Sequence, residues 1–247
     1  MRISVIIPAY NEEQYIASCL KTVLDQDTPA DEIIVVDNNS TDRTRAIASR
    51  FPVHVLSERQ QGMIHARNAG FDAATGDVIV HCDADTRVPR DWITRIRRHF
   101  EEDRCDALTG PAVPFHAPPS IALPIRHSCA LLKRLYLGHL PLQGCNKSLR
   151  RELWHRIRNE VCTDADAVHE DLDLAIHIYR NGGRIVYDSR LMVYSSGRRA
   201  IERPLSFFFE YPLRFYRTVA AHKPAVYAEE PVEQPMIWEA KNRWWAS

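Results

Sequence analysis

One stretch of the sequence decides the fold: Val78-Ile79-Val80-His81-Cys82-Asp83-Ala84-Asp85-Thr86. Its first three residues are apolar and β-branched, as in a buried central strand, and a turn at Gly76-Asp77 precedes them. Asp83 and Asp85 follow at the carboxyl end, where open α/β sheets bind their ligands. Two carboxylates one residue apart can hold a divalent cation against a phosphate group. The alternative is an acidic loop that caps a helix beginning near Pro89.

Strands and helices alternate along the first half of the chain. Short apolar runs rich in Val and Ile predict strands, and apolar residues at helical spacing follow each run. The predicted strands are residues 4–7, 33–36 and 53–56, and the predicted helices contain residues 16–24, 46–51 and 66–70. Further along the chain, residues 106–114 predict another strand and residues 121–140 a helical stretch. Asn11 is expected to cap the first helix. The alternation indicates an α/β fold with a mostly parallel central sheet flanked by helices, and a ligand crevice at the strand ends.

Composition and charge exclude several classes of protein. The 247 residues carry 32 basic and 32 acidic side chains, so we expect no nucleic-acid partner. No C-x-x-C pair occurs among the six cysteines, which argues against a zinc site and against a disulfide framework. The sequence shows neither a secretory signal nor an uncharged apolar stretch of membrane-spanning length. We therefore expect a cytoplasmic protein.

The glycine motifs of common nucleotide-binding proteins are missing. The sequence contains neither G-x-G-x-x-G after the first strand nor G-x-x-x-x-G-K-[ST], which excludes a dinucleotide-binding enzyme and a P-loop NTPase. Carboxylates stand at the strand ends instead, at Asp37 and at Asp83 and Asp85. An aspartate faces a phosphate only with a cation between them. This pattern therefore favours a diphosphate ligand that is neutralised by a divalent metal.

Four segments of the sequence, taken together, resemble a known family. Residues 6–12 read Ile-Ile-Pro-Ala-Tyr-Asn-Glu, and residues 36–42 read Val-Asp-Asn-Asn-Ser-Thr-Asp. Residues 66–70 read Ala-Arg-Asn-Ala-Gly, and residues 83–85 read Asp-Ala-Asp. In this order they resemble the nucleotide-sugar half of family 2 glycosyltransferases with the GT-A fold. The resemblance covers the chain up to the acidic turn and the helix that follows it.

The resemblance implies where the donor would bind. Asp37 would hydrogen-bond the base, and Glu12 and Asp83 would stand near the ribose. Asp85, with Asp83 beside it, would bind Mg²⁺ or Mn²⁺. Arg67 would contact the donor or, alternatively, neutralise buried carboxylates. The full set of implied nucleotide-sugar contacts is Pro8, Ala9, Asn11, Glu12, Asp37, Asn39, Gly62, Arg67, Asp83, Ala84, Asp85, Arg198 and Arg199.

A glycine-containing turn is the first candidate site in the second half of the chain. Family members carry a similar turn beside the sugar pocket, so the resemblance assigns Gly144, Cys145 and Asn146 to sugar or acceptor contacts. A simple turn between two elements explains the same residues equally well.

A second acidic cluster, Glu170-Asp171, opens a predicted helix. Asp171 matches the aspartate of the family's Glu-Asp motif. The resemblance therefore implies that Asp171 is the general base of an inverting transfer, which accepts the proton of the acceptor hydroxyl, and that Glu170 orients it. The alternative is a helix N-terminus that is merely enriched in acids.

The last part of the chain offers a basic loop, an aromatic helix and a tail. Arg198 and Arg199 adjoin Gly197 and could close over the donor diphosphate, although an exposed surface loop is the alternative. Residues 204–219 form a predicted aromatic helix that packs on the core, lines an acceptor groove or touches a membrane surface. Residues 223–247 are expected to form an extended tail.

These observations predict a metal-dependent glycosyltransferase that moves a sugar from a nucleotide-diphosphate donor to an acceptor hydroxyl. The GT-A domain would span residues 1–222, with a nucleotide-sugar half at 1–115 and an acceptor half at 116–222. The expected acceptor is a glycan, a lipid-linked molecule or a small molecule, and a peripheral membrane contact stays open. One alternative is a GT-A-like scaffold that binds nucleotide or glycan without turnover. It is disfavoured because four acids are intact, namely Asp37, Asp83, Asp85 and Asp171. A nucleotidyltransferase is a third option, disfavoured because its glycine-rich phosphate loop is absent.

Overall fold

The secondary structure is known over most of the chain. A computed structural model describes residues 1–102, 105–118, 120, 122–124, 127–131, 138–164, 167–198, 210–222 and 236–237. The strands are β1 (Ile3–Ala9), β2 (Glu32–Asp37), β3 (His54–Ser57), β4 (Val78–His81), β5 (Thr86–Arg87), β6 (Ala107–Thr109), β7 (Ala112–Pro114), β8 (Lys147–Arg150), β9 (Ile185–Asp188), β10 (Val193–Ser195) and β11 (Met236–Ile237). The helices are α1 (Ile16–Leu24), α2 (Thr44–Ala48), α3 (Met63–Ala73), α4 (Trp92–Glu102), α5 (Arg151–Ile157), α6 (Glu170–Arg180) and α7 (Tyr211–Ala221).

The strand that leads into the acidic turn lies inside a large sheet. Among the described residues, eight strands form this sheet in the order β11-β9-β6-β8-β4-β1-β2-β3. β8 runs antiparallel to both of its neighbours, β4 and β6, and the other pairs are parallel. The parallel strands β1, β2 and β4 therefore end at the same edge. The predicted α/β fold with a mostly parallel central sheet is confirmed.

Helices cover both faces of this sheet. Side chains alternate along β1, so that Val5 and Ile7 join a buried cluster with residues of α1 and α4, whereas Ile6 joins a second cluster with residues of α3 and α6. A strand that is buried on both faces carries a continuous apolar run, as residues 33–36 of β2 do. Because the faces are covered, ligands reach such a sheet at the ends of its strands.

One predicted strand is wrong in its extent. The sequence predicts a single strand over residues 106–114, but the structure divides it between two sheets. β6 lies in the large sheet, whereas β7 belongs to a three-stranded sheet of order β5-β10-β7. Gly110 lies at the division, and a Cβ there would stand 2.0 Å from the carbonyl oxygen of Leu191. The chain passes Leu191 too closely for a side chain, so glycine is required at the corner.

The predicted elements of the second half are described in part. Residues 122–124 and 127–131 are helical, within the helical stretch predicted for residues 121–140. The predicted aromatic helix 204–219 is observed from Tyr211 as α7 and continues to Ala221, while residues 201–209 lie outside the described residues. In the predicted tail, Met236 and Ile237 pair with β9 as a parallel edge strand. The remainder of 223–247 also lies outside the described residues.

The large sheet takes strands from both sides of residue 115, since β8 and β9 follow it in the chain. The division into a nucleotide-sugar half and an acceptor half stays a prediction. Within the described ranges, none of the helices has the length and apolar character that crossing a bilayer requires. Contact of the aromatic segment with a membrane surface also stays a prediction.

The packing of α3 against the sheet generates a stability prediction at Gly70. A Cβ at this position would lie 2.3 Å from Cγ2 of Ile6 and 2.9 Å from Cγ2 of Val36. Gly70→Ala should lower the free energy of unfolding by a net amount of about 1–2 kcal/mol, because overpacking outweighs the helix preference of alanine. Urea unfolding measures this change. Ala73→Ser, at an exposed position of the same helix, is the control, and a stabilised Gly70→Ala protein would contradict the close contact.

Candidate functional site

The loops that follow β1 and β2 are held together at the carboxyl edge of the sheet. The side-chain Oδ1 of Asn11 accepts a hydrogen bond from the Thr41 N–H at 2.9 Å, and the Asn11 N–H donates to Ser40 Oγ at 3.2 Å. Asn11 and Asn39 both adopt left-handed backbone conformations, with φ of 54° and 63°. Asparagine tolerates this region better than most residues. The predicted helix cap at Asn11 is wrong, because α1 begins only at Ile16 and Asn11 bonds across to the second loop.

Asp37 ends β2 with a buried carboxylate. Its side chain is 5% exposed, and Oδ1 has no hydrogen-bond partner among the described residues. A buried acceptor without a donor is costly, so this oxygen is suited to a ligand that brings an N–H or O–H group. The next residue, Asn38, bonds through its side chain to the Glu58 and Gln60 carbonyl groups and to the Gly62 N–H. Sequence reasoning missed Asn38, which fixes the entry to α3.

The acidic turn after β4 carries two differently partnered aspartates. Asp83 Oδ1 lies 3.2 Å from Nε2 of His81, whereas Asp85 Oδ2 accepts a hydrogen bond from Ser196 Oγ. Burial, together with the charge of Lys147, lowers the pKa of His81 to about 4. His81 is therefore neutral at pH 7 and donates its Nε2–H to Asp83. Ala84 between the two acids is buried, and neither His81 nor Ser196 was identified from the sequence.

Arg198 reaches across the cleft to the acids of two loops. Its guanidinium contacts the carboxylate of Glu12, and its Nε lies 3.8 Å from Asp85 Oδ2. The guanidinium also lies 4.9 Å from the ring centroid of Tyr15. Burial raises the pKa of Glu12 to about 7, with Arg198 opposing this effect and Asp85 adding to it. Arg199, the second predicted arginine of this loop, lies outside the described residues.

This arrangement suits a hard divalent cation. Glu12 and Asp85 already share one cationic group. Within the part of the chain that the structure describes, the second buried oxygen of Glu12, Oε2, has no hydrogen-bond partner. Carboxylate oxygens are the ligands that Mg²⁺ and Mn²⁺ prefer. Metal sites that act on nucleotides commonly use one or two carboxylates and complete the coordination with water and substrate phosphates. The residues present therefore fit the predicted metal.

Arg67 is a fully buried cation on α3. Its Nε and Nη2 donate to Asn68 Oδ1 at 3.0 and 2.9 Å, and its buried Nη1 contacts no hydrogen-bond acceptor of the described residues. The guanidinium lies 6.0 Å from the ring centroid of Phe71. A buried donor that lacks an acceptor is suited to an anionic ligand, which keeps both sequence-based readings of Arg67 open.

Asp171, the second residue of α6, pairs with a buried lysine. Lys147 Nζ lies 2.5 Å from Asp171 Oδ1, and the lysine side chain is fully buried on β8. Burial alone would raise the pKa of Asp171, but the Lys147 charge outweighs it and holds that pKa well below its usual range. Burial and the neighbouring Asp171 raise the pKa of Glu170. Lys147 was missed in the sequence, because the polar run Asn146-Lys147-Ser148 gives no sign that the lysine is buried.

The structure separates the three residues of the glycine turn. A Cβ on Gly144 would lie 2.8 Å from Asp171 Oδ2, so Gly144 faces the candidate base. Cys145 instead packs in the core. Asn146 is fully buried, and its side chain accepts from Trp92 Nε1 at 3.1 Å and donates to the Leu191 carbonyl oxygen at 2.5 Å. Of the three predicted sugar contacts, only Gly144 lies against Asp171. The side chains of Cys145 and Asn146 point into the protein interior.

The donor-side acids and the candidate base belong to one electrostatic group. His81 donates to Asp83. The charge of Lys147 lowers the pKa of His81, and the charges of Asp83 and Asp171 raise it. Asp83 likewise contributes to the raised pKa of Glu170, after burial and Asp171. The acidic turn after β4 and the start of α6 therefore lie beside each other.

Comparison with known proteins identifies the family. The sequence model of the family described as glycosyl transferase family 2 matches residues 4–153. The glycosyltransferase AglE of Haloferax volcanii is 37% identical over 38% of this chain and 33% of its own length. TuaG of Bacillus subtilis, a putative teichuronic acid biosynthesis glycosyltransferase, is 34% identical over 42% of this chain and 43% of its own length. The chain thus matches less than half the length of these curated relatives.

Solved structures share the fold. The mannosyltransferase PcManGT of Pyrobaculum calidifontis, solved with GDP-Man and Mn²⁺, has a TM-score of 0.69 and 24% identity over 90% of this chain and 64% of that one. Residues 1–349 of TarS from S. aureus give a TM-score of 0.62 and 21% identity over 84% of this chain and 64% of that one. Both likenesses confirm the predicted GT-A fold. Because the family model covers more than half of the sequence, the chain belongs to glycosyl transferase family 2.

Proposed function

We propose that this chain transfers a sugar from a nucleotide-diphosphate donor to an acceptor hydroxyl, with a divalent metal and with inversion at the anomeric carbon. One observation carries the proposal: the acidic turn after β4 and the start of α6 are linked. His81 contacts Asp83 in the turn, Lys147 contacts Asp171 on α6, and the Lys147 charge acts on His81. Membership of the family supports it. So does the presence of GDP-Man and Mn²⁺ in the mannosyltransferase structure.

The donor would bind at the carboxyl ends of β1, β2 and β4. The unpartnered Oδ1 of Asp37 would accept a hydrogen bond from the base, and Asp83 would face the ribose. Asp85, with Asp83, would hold Mg²⁺ or Mn²⁺, which when bound neutralises the diphosphate and so makes it a better leaving group. Further donor contacts would come from Pro8, Ala9, Asn11, Glu12, Asn39, Gly62, Arg67 and Ala84.

Asp171 would act as the general base, and its two oxygens have different surroundings. Oδ1 is held by Lys147, whereas Oδ2 lies against Gly144, where the missing side chain leaves room. Oδ2 would accept the proton of the acceptor hydroxyl as that oxygen bonds to the anomeric carbon. Because Lys147 makes Asp171 a weak base, the proton would move late, when the hydroxyl has become strongly acidic. Glu170 would support the orientation of Asp171.

Arg198 would have two successive partners. Without donor it neutralises Glu12 and Asp85. With donor and metal in the cleft, its guanidinium would turn to the diphosphate and stabilise the charge that grows there as the glycosidic bond breaks. Arg199 would assist from the same loop.

The metal requirement can be measured by calorimetric titration of nucleoside diphosphates. Binding should need Mg²⁺ or Mn²⁺, because Asp83, Asp85 and the diphosphate repel one another without a cation. Asp85→Asn should bind as weakly with Mn²⁺ as the native protein does with chelator. Asp25→Asn, an exposed aspartate paired with Arg90 at 3.5 Å, is the control and should keep native affinity. Equal affinity of the native protein with and without chelator would contradict the metal assignment.

The base can be separated from donor binding by Asp171→Asn. This variant keeps an acceptor oxygen for Lys147 but removes the anion, so its stability should fall, whereas the donor affinity of the folded variant should stay within a few-fold of native. Turnover should fall by roughly 10²-fold to 10⁴-fold, the range for a lost general base. Glu170→Gln is the matched control, since the raised pKa of Glu170 makes its neutral form accessible, and its loss should be smaller. The opposite order of the two losses would assign the base to Glu170.

The position of Arg198 predicts an unusual effect on metal binding. Arg198→Gln removes the cation that competes for Glu12 and Asp85, so the affinity for Mn²⁺ without nucleotide should rise by roughly 3-fold to 10-fold. Turnover should fall in the same variant, because the diphosphate loses a charge-assisted donor. Arg90→Gln, which removes an exposed arginine paired with Asp25 and Asp27, is the control. Unchanged Mn²⁺ affinity in Arg198→Gln would show that Arg198 does not compete with the metal for these carboxylates.

A further inference from the structure

A second group of metal-binding side chains lies on the other side of α6. Asp173 follows Asp171 by two residues, which turns it about 200° around the helix, and His177 lies one turn later on the same face as Asp173. His222, directly after α7, completes the group. His222 Nε2 lies 3.1 Å from Asp173 Oδ1, His177 Nε2 lies 3.6 Å from the same oxygen, and the two Nε2 atoms are 3.4 Å apart.

The other nitrogen of each imidazole is already bonded. His222 Nδ1 lies 2.8 Å from the Thr218 carbonyl oxygen, which can only accept, so Nδ1 carries the proton. His177 Nδ1 lies 3.3 Å from Glu160 Oε2, and this carboxylate is itself held by Asn181 Nδ2 at 3.0 Å. In the neutral tautomers that these bonds select, both Nε2 lone pairs point into the cluster. Metal-bound histidines are typically held in this way by a carbonyl group or a carboxylate.

The spacing of the three atoms fits a tetrahedral ion. Zinc bonds of about 2.0–2.1 Å to nitrogen and 2.0–2.2 Å to oxygen in a tetrahedron separate the ligand atoms by about 3.3–3.5 Å. An octahedral ion with bonds of about 2.1 Å would bring neighbouring ligands to about 3.0 Å. The observed separations of 3.1, 3.4 and 3.6 Å centre on the tetrahedral value. Two imidazoles and one carboxylate oxygen are ligands that zinc accepts.

The surroundings leave one oxygen of Asp173 for an ion. Its Oδ2 accepts a hydrogen bond from the Cys162 N–H at 2.9 Å, whereas Oδ1 faces the histidines. The side chains of Asp173, His177 and His222 are 1%, 10% and 11% exposed, so water screens the cluster poorly. Among the described residues, Leu172 and Ile176 of α6 pack against Phe215 and Val219 of α7. A bound ion would add a further link between the two helices.

We propose that Asp173, His177 and His222 bind one Zn²⁺ ion that fastens α7 to α6, with a water molecule as the fourth ligand. Within the described residues, no other group of three potential ligands lies as close together. In the sequence, only the cysteine spacing was weighed for a zinc site. The ligand His222 lies 45 positions beyond His177 and was therefore missed. The site is distinct from the donor metal site, and the inference does not depend on sugar transfer.

Metal-stripped native protein provides the direct test. Addition of Co²⁺ should produce the strong visible absorption of a tetrahedral site, and Zn²⁺ should abolish it by displacement. One Zn²⁺ per chain should bind, measured by elemental analysis after gel filtration. Free Zn²⁺ about 100-fold above its Kd should raise the melting temperature by roughly 5–10 °C. Native protein that gives no Co²⁺ absorption and no thermal shift would overturn the proposal and leave a histidine–aspartate network that shares a proton.

Variants distinguish this site from the donor site. His222→Gln should lose the bound zinc, and Glu160→Gln should weaken it by roughly 10-fold to 100-fold, because Glu160 orients a ligand without being one. Asp85→Asn should keep one zinc per chain. His99→Gln is the matched control, since it breaks a buried histidine–aspartate pair of 2.8 Å with Asp188 outside the cluster, and it should also keep zinc. Zinc that is lost in Asp85→Asn and retained in His222→Gln would overturn the proposal.

Discussion

The candidate site depends on the buried ion pair of Lys147 and Asp171. A fully buried lysine is stable as a cation only with a close anion, and removal of one partner from such a pair typically costs about 3–5 kcal/mol. Lys147 lies on β8, which pairs directly with β4, and Asp171 opens α6. The pair therefore brings the start of α6 to the strand that ends in the acidic turn. It also keeps Asp171 ionised and neutralises a group of buried acids.

Much of the fold follows from local patterns. The Val- and Ile-rich runs predict β1, β2 and β4, and all three strands are observed. β2 ends at Asp37 and β4 leads into the acidic turn as the sequence indicates, whereas β1 continues through Pro8 to Ala9, beyond the predicted residues 4–7. The failures arise where distant parts of the chain decide. Gly110 breaks a predicted strand because Leu191 lies against it, and Asn11 bonds to Thr41 of the next loop and not to its own helix. Neither partner can be inferred from neighbours in the sequence.

The same limit applies to the side chains of the candidate site. Asp83, Asp85, Glu170 and Asp171 are recognisable because strand ends and helix starts are local features. Two of their partners come from remote segments, since Lys147 reaches Asp171 from β8 and Arg198 reaches Asp85 from the loop after β10. His81 lies only two residues before Asp83, but its side chain has no feature in the sequence that predicts the contact. Asn146 was predicted to contact a sugar because it is polar and lies beside a glycine turn. Its side chain instead accepts a hydrogen bond from Trp92 inside the protein. Polar character alone therefore does not distinguish a site residue from a structural one.

α6 carries different chemistry on its two sides. Asp171 pairs with a lysine at the cleft, whereas Asp173 faces two histidines at the junction with α7. The central claim is that the cleft performs sugar transfer and not binding alone. Release of nucleoside diphosphate from a panel of nucleotide-sugars, measured with Mn²⁺ and a mixture of glycan, lipid-linked and small-molecule acceptors, tests it most directly. We expect release from at least one donor, and this release should stop on addition of chelator. Binding of nucleoside diphosphate without release from any donor would contradict sugar transfer.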